Sequence, residues 1–128
     1  MQRPSDPRRV AASERKMSDE ECTPRQPESV DVMGESDPEF FASFDALYTT
    51  TWSSGAIPAK YKELFGVAIS VVMRCRPCAT YHIRMCLKES ANRDELLEAI
   101  RLGVLTGGSV SIPDARYAYS VLKDRGVV

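Results

Sequence analysis

Two cysteines in the run Cys75-Arg76-Pro77-Cys78, followed four residues later by the single histidine of the chain, His82, have the types and spacing to do chemistry. Such a pair fits half of a zinc site, a redox couple or coincidence. Zinc asks for four converging ligands, and the sequence offers three nearby, with no second Cys-x-x-Cys and no His-x-x-x-His. Cys86 falls on the same helical row, but eleven residues of helix rise put it roughly 16 Å from Cys75. No metal is therefore expected. Redox chemistry fits better. Side chains three apart on a regular helix have Cβ atoms about 5–6 Å apart, whereas a relaxed disulfide wants about 3.8 Å. A Cys75–Cys78 bond is thus expected to be strained and readily reduced again. A helix start at Pro77 would aim free N–H groups at the sulfurs and favour thiolate, and Arg74 and Arg76 add positive charge. His82 lies one turn beyond Cys78 on the same face, within proton-exchange reach directly or through a water. Glu63 lies twelve residues before Cys75. That spacing neither requires nor forbids contact, and by itself Glu63 reads as an exposed first-turn carboxylate favoured by the helix dipole.

The elements that must position these groups follow a helical rather than an alternating pattern, and no strand is predicted. A first helix is expected from the N-cap Asp37 and Pro38, with Phe40, Phe41, Phe44, Leu47 and Tyr48 on one stripe. Thr49 to Gly55 reads as a polar loop containing Trp52. A second helix starts near Pro58 and runs through Glu63 into LFGVAISVVM, apolar on nearly every side and hence expected to be buried all round. It should end near Arg74, because Pro77 disfavours the helical region at Arg76, and a third helix should open inside the cysteine run and reach about Ser90. Asn92 and Glu95 form a capping arrangement for a fourth helix with Leu96, Leu97, Ile100 and Val104 on one face, and Gly107-Gly108 stops it. A last helix spans about Pro113 to Lys123. The fold class is all-α, with about five to six helices over residues 37–128.

Residues 1–36 hold no aromatic side chain, four of the eight prolines and 14 charges of mixed sign, so they read as a disordered N-terminal tail. Cys22 in that tail is an incidental thiol by this reading, and Cys86 a small apolar core residue. Tyr81, Met85 and Trp52 are expected to serve core or interface packing more than an access channel. The 128 residues carry 17 Lys+Arg against 18 Asp+Glu, a net charge of -1, which gives no basic footprint for nucleic acid or anionic membranes. No run is apolar enough for a membrane span and no secretory leader is evident, so a cytoplasmic protein is expected. A chain this short buries only somewhat over ~60% of its unfolded surface, so part of the burial is expected from other copies of the chain.

The stretch IPAKYKELFGVAISVVMRCRPCATYHIRMCLKESANRDELLEAIRLGVLTGG resembles the carboxymuconolactone decarboxylase superfamily, in its alkylhydroperoxidase D-like branch (AhpD-like). The carriers are a Glu in a K-E-L segment, the Cys-x-x-Cys pair and a His four residues on, matched by Glu63, Cys75, Cys78 and His82. The resemblance covers roughly residues 40 to 123. It implies an all-α fold assembled as a homo-oligomer, a trimer or hexamer, with no cofactor. It also implies thiol-dependent reduction of a hydroperoxide substrate by a Glu/His proton relay, with a dithiol or thioredoxin-like electron donor. One of Cys75 and Cys78 would become a sulfenic acid and the other would resolve it. Pro77 stands where the mycobacterial-type peroxidases carry a second relay histidine. Two other functions compete: a decarboxylase-type lyase using His82 and Glu63 with dispensable cysteines, and a non-enzymatic redox-sensing assembly module.

Overall fold

The computed structural model describes residues 32–128 as six α-helices and one 3-10 turn: α1 (Val32–Ser36), α2 (Pro38–Trp52), α3 (Ala59–Val72), α4 (Arg76–Lys88), α5 (Arg93–Gly107), the turn Ser109–Ser111, and α6 (Ile112–Asp124). There is no strand among the described residues. Helix α3 runs through the middle, with α5 and α4 packed against it and α6 against α4 and α5. Val67 and Val71 of α3, Ile83 and Cys86 of α4, Leu96 and Ile100 of α5, and Ala118 and Leu122 of α6 are fully enclosed and form the core. Gly103 permits the α3–α5 approach, since a Cβ there would lie 2.8 Å from the Ala68 carbonyl oxygen.

Local chemistry sets the helix ends. Asn92 Oδ1 accepts from the Glu95 N–H and Glu95 Oε2 accepts from the Asn92 N–H, the reciprocal cap expected of that pair. Lys60 reaches Glu95 Oε1 at 2.8 Å, tying α3 to the start of α5. Helices α3, α4 and α6 all close with the same two-bond motif, in which the chain turns through a left-handed residue: Arg74 (φ 55), Ser90 (φ 62) and Gly126 (φ 70). At the first, Cys75 N donates to Ser70 O and Arg74 N to Val71 O.

Three expectations need correction. The loop predicted from Thr49 is helical as far as Trp52. Threonines favour non-helical backbone, but Thr51 Oγ1 donates back to Leu47 O at 2.7 Å, and Phe44, Tyr48 and Trp52 stack at one-turn spacing with ring centroids 6.4 and 6.0 Å apart. The boundary at residue 36 also shifts, because Val32–Ser36 is helical and Asp37 N donates to Met33 O. Asp37 makes no side-chain cap. The rest of the predicted tail, Cys22 included, lies outside the described residues. Finally, α3 is not buried all round within one chain: Phe65, Ile69 and Met73 are 51%, 57% and 69% exposed along one stripe. Among the described residues no helix is long and apolar enough to cross a membrane.

Candidate active site

Cys75 is held by the end of one helix and the start of the next. Its N–H closes the α3 terminus on Ser70 O, its carbonyl accepts from Ala79 N at 3.0 Å, and it occupies the N-cap position of α4 with extended backbone. Cys78 sits in the first turn of α4, where Pro77 has no N–H to lose. The two sulfurs are bonded, with the Cα atoms 5.2 Å apart, inside the usual range for a disulfide. The sequence argument for strain placed both cysteines inside a regular turn. Cys75 lies outside the helix, so that argument does not apply. Both residues are half-buried.

Glu63 corrects its reading as an exposed carboxylate. It lies within the second turn of α3, faces α4, is 4% exposed, and its Oε2 is 2.7 Å from His82 Nδ1. A carboxylate can only accept, so in the pair of a carboxylate with a neutral imidazole Nδ1 is the donor and Nε2 keeps the lone pair. His82 stands one turn past Cys78 on the same face of α4. The structure thus brings Glu63 and His82 into contact, and joins Cys75 to Cys78 at the start of the helix that carries His82. Arg76 points elsewhere: its Nε donates to Asp114 Oδ1 at 3.1 Å and its guanidinium lies 5.4 Å from the Tyr117 ring centroid. Its charge is partnered on α6, not left free for the thiols. Thr80 and Tyr117 hydroxyls, 2.9 Å apart and buried, make a second α4–α6 tie.

Two residues meet the His82 ring that the sequence did not assign to it: it offered Trp52 only for packing or an access channel, and it did not mark Gly66. Trp52 lies over the His82 ring, with centroids 4.7 Å apart and planes 34° apart. Gly66 lies against the same ring. The one available signal was a glycine inside an apolar helical run, where it costs helix stability unless close packing demands it. Tyr81 meets His82 edge-on at 5.2 Å, and its hydroxyl bonds that of Tyr48. Cys86 is fully enclosed, and burial pushes its thiol up to about 12, with the negative charge of Glu63 adding to the shift. Among the described residues no group of three or more His, Cys, Asp or Glu side chains is arranged to hold a metal ion.

Residues 38–124 match the model of the carboxymuconolactone decarboxylase family, and the chain belongs to that family. It is 30% identical to an uncharacterized protein of Cupriavidus necator over 91 residues, 71% of this chain and 78% of that one. Two solved structures superpose with a TM-score of 0.68. One is a Thermotoga maritima protein, 32% identical, covering 72% of this chain and 81% of its own. The other is a carboxymuconolactone decarboxylase family protein of Legionella pneumophila, 30% identical, covering 72% and 82%.

Proposed function

We propose that this protein is a thiol-dependent peroxidase or disulfide oxidoreductase of the AhpD-like branch, working through Cys75 and Cys78 with Glu63 and His82 as proton relay. The observation that carries this reading is the buried 2.7 Å contact of His82 Nδ1 with Glu63, one helical turn from a half-buried cysteine pair. A second description of the Thermotoga maritima protein, 34% identical, connects it with an antioxidative response.

In the reduced protein, His82 Nε2 takes the proton of one thiol, and the imidazolium so formed is stabilised by Glu63. The thiolate attacks the terminal oxygen of a hydroperoxide, the O–O bond breaks, and the alkoxide leaves as alcohol with the relay proton. The sulfenic acid condenses with the second thiol, releasing water and forming the Cys75–Cys78 bond. Two electrons have then moved from two thiols to the peroxide. A dithiol or thioredoxin-like donor returns them by disulfide exchange. The stripe of Phe65, Ile69 and Met73, exposed one turn apart along α3 and its C-cap, supports assembly into a homo-oligomer, and the family resemblance makes it a trimer or hexamer.

Peroxide consumption with a dithiol donor tests the reading. The parent turns over, and Cys75→Ser and Cys78→Ser fall to background. Equal rates in all three overturn it. Consumption of a muconolactone-type acid that survives loss of both thiols assigns the site to a lyase instead.

A further inference from the structure

Nothing in the relay by itself explains why the His82 ring should stay in the one plane that gives Nδ1 to Glu63 and leaves Nε2 for a thiol. A half-buried imidazole turns about two side-chain bonds, and one hydrogen bond to a carboxylate does not stop the ring from swinging about that bond. Two different elements press on it. From α3, a Cβ built at Gly66 would lie 2.5 Å from Nδ1 and 2.6 Å from the ring carbon Cγ, so the ring rests on bare helix backbone. The Trp52 indole at the last position of α2 also stacks on the ring, within the offset-stacking range.

The indole is tied in place in turn. Lys62, next to Glu63 on α3, donates through Nζ to Thr51 O and Ser53 O, both at 2.7 Å. These two carbonyls flank Trp52, and one ammonium ion satisfies both where the end of α2 leaves them without helical partners. No side chain of α2 is buried, so the indole contact, the Tyr48–Tyr81 hydroxyl pair and this lysine clip hold α2 to the body.

We infer that Trp52, clipped by Lys62, and Gly66 form a clamp that fixes the plane of the His82 imidazole, making Trp52 a positioning residue for the relay. The inference rests on the relay reading above for its purpose, but not for its geometry. The groups facing the ring are Glu63 from α3, Tyr81 from α4 and Trp52 from α2, with Tyr48 behind Tyr81.

His82 is the single histidine of the chain, so its two ring nitrogens can be followed by nitrogen-15 NMR in the full-length protein without assignment ambiguity. The parent should show two well-separated resonances, Nδ1 of the protonated type and Nε2 of the bare type. In Trp52→Ala the two should move toward each other as the tautomers mix, and Trp52→Phe should restore the separation. Lys62→Met should shift them the same way by less. Thiol alkylation of the reduced protein should slow about tenfold in Trp52→Ala and recover in Trp52→Phe. Unchanged nitrogen shifts and an unchanged alkylation rate in Trp52→Ala overturn the clamp.

Gly66→Ala tests the α3 contact. It should lower the melting temperature in the parent background and raise it in His82→Ala, where the ring no longer occupies the space. A fall of equal size in both backgrounds overturns the role of Gly66. A parent with the tautomer signature but no peroxide turnover leaves the clamp standing and removes the peroxidase reading. Turnover with shifts indifferent to Trp52 does the reverse.

Discussion

The start of α4 and its last turn hold the same residue type in opposite settings. Cys75 and Cys78 stand half-buried where the helix begins, bonded to each other, with free backbone N–H groups nearby and His82 one turn on. Cys86, two turns further, is enclosed among apolar side chains, and its thiol is pushed up to about 12. One helix therefore carries a part-exposed bonded pair and an enclosed thiol, and the difference lies in solvent access and helix position, not in residue type.

The largest effect should appear in labelling. In the reduced, folded protein at pH 7, iodoacetamide should modify Cys75 or Cys78 while Cys86 reacts slower on the order of 10³-fold, since a thiol near 12 is almost wholly protonated there. Peptide mapping reads this, and comparable labelling of all three would erase the contrast. Next in size, Glu63→Gln keeps a hydrogen-bonding partner for His82 but removes the charge. Alkylation of the pair near neutral pH should slow about 10²-fold. An unchanged rate would remove Glu63 from the relay.

Cys86→Ser should leave peroxide turnover intact and cost about 1–3 kcal/mol in denaturant unfolding, because a hydroxyl replaces a thiol in an apolar enclosure. The pH dependence sharpens the point. The folded thiol titrates above the unfolded one, so the folded chain holds the proton longer. The stability this contributes is present below about pH 9 and is lost as pH rises toward 12. The gap between parent and Cys86→Ala should narrow over that window, and a constant gap would place the thiol in a wetter site. Smallest is Arg74→Gly. Arg74 occupies a left-handed position that costs a side-chain-bearing residue about 1 kcal/mol, so the variant should be more stable by about that amount in thermal or denaturant unfolding. A loss of stability would mean that the arginine side chain makes contacts worth more than the backbone strain.

Interactions within one or two turns were legible before any fold was known. The Asn92–Glu95 cap, the helix start at Pro77, the spacing of Cys75, Cys78 and His82, and the stop at Gly107-Gly108 are set by short-range geometry, which the order of residues determines directly. Family resemblance singled out Glu63, but spacing alone left it an exposed carboxylate. Its burial against His82 follows from α3 lying along α4, a packing that a separation of nineteen residues does not encode locally. Trp52 and Gly66 belong to that second kind too. The tryptophan sat in a threonine-rich stretch that reads as loop, and the glycine in an apolar run that reads as core. Sequence alone determined which groups could pass a proton or an electron pair. Tertiary packing decided how the imidazole is oriented, because fixing a ring plane takes contacts from helices that meet only once the core has closed.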